Sequence, residues 1–142
     1  MRDKAQMIIE IPKYDVKQLS DHFWSFEFSC HCQRQDCDVT LIDTKLIAYL
    51  EMKRAEIAVI LKKDIPFIIM SGFRCVKHNN DKSVGGAESS RHLVCDAADI
   101  WMPGQNMIDL AKYFEDADGL GRYENKNILH IDKRGHYARW TV

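Results

Sequence analysis

One stretch limits this chain more than any other. Ser90-Arg91-His92-Leu93-Val94-Cys95-Asp96-Ala97-Ala98-Asp99 sets a histidine and a carboxylate seven residues apart, just ahead of an apolar Ile100-Trp101. Imidazole nitrogen and carboxylate oxygen both ligate zinc at about 2.0–2.2 Å, and a catalytic zinc keeps three protein ligands and an open position. The spacing alone arises by chance in many chains. The small residues Ser90, Ala97 and Ala98 strengthen it, because they let backbone approach a metal closely. Alternation of Val94, Asp96 and Ala98 against Cys95, Ala97 and Asp99 predicts a strand entering a core. Asp99 would then lie among apolar neighbours, where a carboxylate is costly unless paired or metal-bound. We read His92 and Asp99 as two zinc ligands that need a third.

A chain of 142 residues predicts one domain, 1–142, able to bury about 68–70% of its unfolded surface. Hydrophobic residues at 46% and charged residues at 29% exclude extensive disorder. A net charge of −1 leaves no field to draw nucleic acid or an anionic membrane. Met1 to Ile9 holds no apolar run long enough for a secretory leader, and nothing approaches a membrane span. Synthesis in the cytoplasm without membrane insertion is therefore expected. Five cysteines, an odd number, fit poorly with a fully paired disulfide framework.

Along the chain, Met7 to Ile11 predicts an edge strand ended by Pro12. In Leu19 to Phe28, Ser20 is a candidate N-cap, the crowded aromatics plug a core, and His22 is structural. Cys30-His31-Cys32-Gln33-Arg34-Gln35-Asp36-Cys37 admits two readings. One is a structural zinc on Cys30, Cys32 and Cys37 with Cys75 as a distant fourth ligand; the plainer and preferred one is a tight loop of free thiols. Leu46, Ile47, Leu50, Ile57, Ile60 and Leu61 recur at threes and fours, which predicts the main helix from about Ile42 to Lys62. Asp64-Ile65-Pro66 stops it, and Phe67 to Met70 reads as a buried strand that delivers Ser71-Gly72-Phe73-Arg74 to its end. Lys77 to Glu88 is a polar loop suited to walling a groove. A second helix is expected from about Gln105 to Glu115, then a turn from Ala117 to Gly121. Ile128 to Asp132 reads as a strand with His130 and Asp132 on one face, and Trp140 as a residue closing the core.

The decapeptide resembles the Ser-x-His-x-x-Gly-x-Ala-x-Asp signature of the zinc D-alanyl-D-alanine carboxypeptidase and murein endopeptidase family. Further matches follow in order: Ser71-Gly72-Phe73-Arg74-Cys75 with His78-Asn79, Gly85-Gly86-Ala87, Gly119-Leu120-Gly121-Arg122-Tyr123, and Ile128-Leu129-His130-Ile131-Asp132 with Arg139-Trp140. The resemblance spans Leu19 to Trp140. It implies a single α+β domain in which a small antiparallel sheet, flanked by helices, carries the zinc site. One departure is Cys95 in place of the signature glycine: at positive φ a cysteine would strain the turn, whereas in a strand it would fit.

The resemblance also makes His130 the third zinc ligand. It implies metal-assisted hydrolysis of an amide in a peptidoglycan stem peptide, with zinc lowering the pKa of its water from about 15.7 towards about 7. Arg74 would stabilise the oxyanion, and the Ser90 hydroxyl would bind substrate. Where the family pattern places a proton-transfer residue, this chain has Asn127 and Ile128. Asp132 is the nearest candidate base, or else a partner that fixes an imidazole; Glu124 and His136 are further candidates. The absence of any basic or aromatic repeat for wall binding predicts a stand-alone catalytic unit, expected to be a monomer, and the resemblance adds that members lacking leaders are often phage or prophage products. D,D-carboxypeptidase and endopeptidase both remain open. The alternative is a zinc-stabilised binding module, since the related hedgehog signalling domain uses such a site for binding. A thiol redox protein is weak without a Cys-x-x-Cys pair.

Overall fold

The computed structural model describes residues 7–80 and 90–142. The expected features at Gly85, Gly86 and Ala87, and most of the 77–88 loop, lie outside the described residues.

The N-terminal strand is present as β1 (Ile8–Pro12), paired antiparallel with β2 (Val39–Asp43) from Ile8↔Asp43 to Pro12↔Val39. β2 runs directly into α1 (Thr44–Leu61), the expected main helix. Asp43 caps it: its carboxylate accepts from the Lys45 backbone N–H at 2.9 Å, satisfying an amide that the first turn leaves unpaired. Leu46, Leu50, Lys53 and Ile57 recur at intervals of three and four on the buried face. Each buried leucine there contributes about 1.5–3 kcal/mol of apolar burial. Ile60 is exposed, contrary to expectation, on the outer face of the helix, while Leu61 beside it packs against the core. Among the buried-face residues, Lys53 keeps its charge by reaching Glu56 and Asp116, both at 2.8 Å.

Phe28, Phe23, Phe67 and Phe114 form the centre of the core, with successive ring centroids 6.0, 6.4 and 6.0 Å apart. The expected aromatic plug is therefore real, although Trp24 and Phe26 face outward. Ser20 caps no helix. The segment instead folds into one 3-10 turn, Ser25–Phe28, while Ser20 and His22 both bind the Glu51 carboxylate of α1.

A five-stranded sheet covers the other side of this core, in the order β3 (Ile68–Ser71), β4 (Ala97–Trp101), β6 (Ile128–Asp132), β5 (Gly119–Tyr123), β7 (Ala138–Thr141). All neighbours are antiparallel except β5 and β7, which run parallel. Four sequence expectations need correction. β3 is an edge strand, paired with β4 on one side, and its alternate residues Ile68 and Met70 are exposed. The 105–115 segment winds as a single turn, α3 (Met107–Leu110), followed by a 3-10 turn, Ala111–Phe114. The expected turn at 117–121 is half strand, because β5 begins at Gly119. The strand expected from Val94 begins only at Ala97: Arg91–Val94 forms a 3-10 turn, and Cys95 reverses the chain at φ 61°. A short helix, α2 (Val76–Asn79), follows β3. Among the described residues, no helix is long and apolar enough to cross a membrane.

Candidate metal centre

The antiparallel register of β4 and β6 sets Asp99 directly opposite His130. Paired residues project to the same face, so two side chains distant in sequence meet without any loop to place them. His92 arrives from the 3-10 turn before β4. That turn is held at its start by the Ser90 hydroxyl, which accepts from the His92 N–H at 3.3 Å, and at its side by the Arg74 N–H, which donates to the His92 carbonyl at 3.1 Å. The left-handed conformation of Cys95 turns the chain into β4. A non-glycine residue there carries strain of about 1–2 kcal/mol. The signature glycine therefore belongs to a position of positive φ, and Cys95 fills it under strain.

Each imidazole has one nitrogen fastened away from the centre and one turned towards it. His92 Nδ1 donates to the Gly72 carbonyl at 2.7 Å, leaving Nε2 facing Asp99 Oδ1 at 3.2 Å. His130 Nε2 meets Asp132 Oδ2 at 2.8 Å, leaving Nδ1 facing the same Asp99 oxygen at 3.0 Å. The three donor atoms lie within 4.8 Å of one another. Two imidazoles and a carboxylate at this spacing fit the donor set of a zinc site with room for a further ligand. His92 and His130 are buried, whereas the Asp99 side chain keeps 21% exposure, so the centre opens to solvent on the carboxylate side. Burial alone would raise the Asp99 carboxyl; hydrogen bonds from His130 and His92 outweigh it and hold the group below its ordinary range.

Asp132 has no exposed surface. Besides His130, it receives the Arg134 guanidinium at 2.8 and 2.6 Å and the Arg134 backbone N–H at 3.2 Å. Burial pushes its carboxyl up, but Arg134 and His130 bring it below the ordinary range. Two glycines of β5 make this packing feasible: a Cβ on Gly119 would fall on the Asp132 carboxylate, and one on Gly121 would fall on the Trp140 indole. Trp140 lies over His130, with ring centroids 5.0 Å apart, and over Arg134. It roofs the metal centre and does not close the main core, which is a correction to its expected place. Arg139 anchors its strand, donating from Nη1 and Nη2 to the carbonyls of Asp118, Ala138, Glu115 and Ala117 at 2.7–2.8 Å.

A family model for peptidase M15 matches residues 21–132, a span containing all three donors. The chain belongs to the M15 peptidases. It is thus a member of a family of zinc metallopeptidases. No curated protein and no solved structure matches it.

Within this M15 domain, Arg74 is buried beside the metal centre, its Nη1 donating to Asn79 Oδ1 at 2.8 Å and its Nη2 to Ser71 Oγ at 3.3 Å. Ser90 Oγ is engaged with the His92 backbone. Asn127 occupies the place of the family acid but serves the frame: its Oδ1 accepts from the Met107 N–H at 2.7 Å, and its Nδ2 donates to the Gln105 carbonyl at 2.9 Å. Glu124 lines a surface cavity with Gly104, Asn106 and Asn127, and His136 is exposed in the turn before β7. Sequence reasoning missed Arg134 and the Gly72 carbonyl, and it gives the two β5 glycines only as part of the resemblance, without their packing role. The glycines did carry a signal, since Gly119 and Gly121 stand at i and i+2, opposite Asp132 and His130 at the same spacing.

The M15 domain also gathers Cys30, Cys32, Cys37 and Cys75, whose sulfurs lie within 4.8 Å of one another. Lys13 Nζ points at Cys37 Sγ at 3.6 Å and Cys32 Sγ at 3.8 Å, and donates to the Cys32 carbonyl at 2.8 Å. Burial raises the Cys32 thiol, but the Arg34 backbone N–H and the neighbouring thiols outweigh it and bring the group down to about 6. Burial holds Cys37 and Cys30 above the ordinary thiol range.

Proposed function

We propose that this M15 domain is a zinc-dependent hydrolase of amide bonds in peptidoglycan stem peptides, acting as a D,D-carboxypeptidase or endopeptidase in wall lysis or remodelling. The observation that carries the reading is the opposed fastening of the two imidazoles. Gly72 and Asp132 each take one ring nitrogen, so the remaining His92 Nε2 and His130 Nδ1 converge with the Asp99 oxygen on one point. A zinc ion held by His92, Asp99 and His130 would supply Lewis acidity and an activated water.

The chain's own residues divide the remaining work. Arg74 is positioned to donate to a substrate carbonyl, with Asn79 and Ser71 holding its guanidinium. Ser90 keeps the His92 turn in place, and its hydroxyl is the candidate contact for the substrate backbone. Asp132 is a positioning residue in this reading: Arg134 and His130 occupy its oxygens, so it orients the imidazole and fixes its proton on Nε2, away from Asp99. This reading takes the imidazole-fixing alternative for Asp132 over that of general base. The alternative of a zinc-stabilised binding module draws on Asn127, whose polar atoms are committed to the frame.

The test is cleavage of purified peptidoglycan, read as released D-alanine or newly exposed amines, with zinc measured alongside. Chelator-sensitive cleavage that returns with zinc and disappears in His92→Ala is expected. Zinc binding without cleavage on several wall types would replace the hydrolase with the binding module. Free D-alanine alone would identify the carboxypeptidase, and new amines within crosslinks the endopeptidase.

A further inference from the structure

We propose that Cys30, Cys32, Cys37 and Cys75 hold a second zinc ion, a structural one, that ties the N-terminal loop to the segment carrying Arg74. This goes beyond the peptidase reading, because none of the four thiols touches the His92, Asp99 and His130 centre.

The first support is shape. A tetrahedron with zinc–sulfur bonds of about 2.3 Å has sulfur–sulfur edges of about 3.8 Å. Cys75 Sγ lies 3.7 Å from Cys30 Sγ and 3.7 Å from Cys32 Sγ, and all four sulfurs stay within 4.8 Å of one another. All four are free thiols, and three of them are buried. The second support is the surrounding donors. The Cys75 N–H points at Cys30 Sγ and the His78 N–H at Cys75 Sγ, both at 3.4 Å, as outer-shell amides do around ligating sulfurs. The third is charge. Lys13 is 6% exposed, and its ammonium faces two of the sulfurs. A buried ammonium needs an anionic partner, and a zinc tetrathiolate, with a net charge of −2, provides one.

The position of the cluster gives the ion its structural effect. The thiols come from a loop at 30–37 and from Cys75, the residue after Arg74, so the metal would bridge the 37 residues between Cys37 and Cys75. Beside it, the Phe73 N–H already donates to the Phe28 carbonyl at 2.9 Å, and the Arg74 N–H to His92. A tetrathiolate would complete that tether.

Native mass spectrometry of the full chain, purified under reducing conditions with zinc, should find two zinc ions per chain. Zinc-edge X-ray absorption should show sulfur neighbours at about 2.3 Å besides nitrogen and oxygen. The double variant His92→Ala/His130→Ala should keep one zinc with a shell of sulfur only, whereas Cys32→Ser/Cys37→Ser should lose it. If the cysteine variant does not fold, the wild-type absorption spectrum and the histidine variant decide the matter without it. A wild-type shell free of sulfur, or no zinc in the histidine double variant, would overturn the proposal. Neither readout depends on peptidase activity, so loss of the hydrolase reading would leave this result intact.

Discussion

The two ligand clusters flank the same short segment, residues 72–75, and differ in almost every respect that matters to a metal. His92, Asp99 and His130 offer three donors of two elements, on a sheet face, with Asp99 partly open to solvent. Cys30, Cys32 and Cys37 from one loop, with Cys75 from the start of α2, offer four donors of one element, three of them buried. Zinc chemistry separates the two kinds in the same way: structural sites are closed by four protein ligands, and catalytic sites leave a position for substrate or water. The rigidity comes from different sources as well. The sheet centre is fixed by strand register and by Gly72 and Asp132 behind the imidazoles, whereas the thiol cluster has little regular structure around it and would draw its rigidity from the ion.

The sharpest way to break this comparison is to remove one ligand from each cluster. His92→Ala should reduce wall cleavage to background while lowering the unfolding temperature by only a few degrees, because strand pairing persists. Cys37→Ser should do the reverse in kind, lowering the unfolding temperature by roughly 10 °C or more through loss of the metal's folding free energy. Scanning calorimetry beside a cleavage assay reads both, and equal thermal losses in the two variants would erase the distinction. A second, smaller contrast concerns release. A chelator such as EDTA should strip the open centre, and activity with it, well before the four-thiolate site loses its ion. Time-resolved zinc release should therefore show two phases.

Within the sheet centre, Asp132→Asn should lower zinc affinity or activity about 10–100-fold, the usual cost of losing a partner behind a ligating imidazole. Gly119→Ala should produce a loss of the same kind, since its methyl group would displace the Asp132 carboxylate. Isothermal titration with zinc measures both; an unchanged affinity in Asp132→Asn would remove its positioning role. The smallest effect belongs to Cys95. At φ 61°, Cys95→Gly should be more stable than Cys95→Ala by about 1 kcal/mol, against the usual preference for alanine, as chemical denaturation would show.

How much of this was legible in the sequence follows from what fixes each residue. The helix at 44–61 was readable because a 3.6-residue period is a local signal; spacing marks His92 and Asp99 as candidate donors and the resemblance adds His130, and the fold brings the three side chains together. The boundary errors at Val94 and Gly119 have a shared cause. A single left-handed residue, Cys95, holds off the strand before Asp99, and a glycine that turn chemistry would claim is instead a strand residue making room for Asp132. Arg134 and Lys13 were illegible because their roles depend on burial, which no period in their neighbourhoods announces. The cysteine cluster lay between these cases: Cys30, Cys32 and Cys37 are close in sequence and Cys75 could be named as a distant fourth ligand, but no spacing rule favoured that set over free thiols until the fold placed the four sulfurs together.

The roof over His130 has one more consequence. An indole in contact with an imidazole loses part of its fluorescence to that ring, to a degree that changes with the charge the ring carries. Trp140 lies 5.0 Å from His130, whereas Trp24 sits at the surface beside the first turn and Trp101, at the end of β4, packs against the core. The molecule therefore contains its own optical gauge, and its emission should rise or fall as His130 gains or loses an ion, with no label attached.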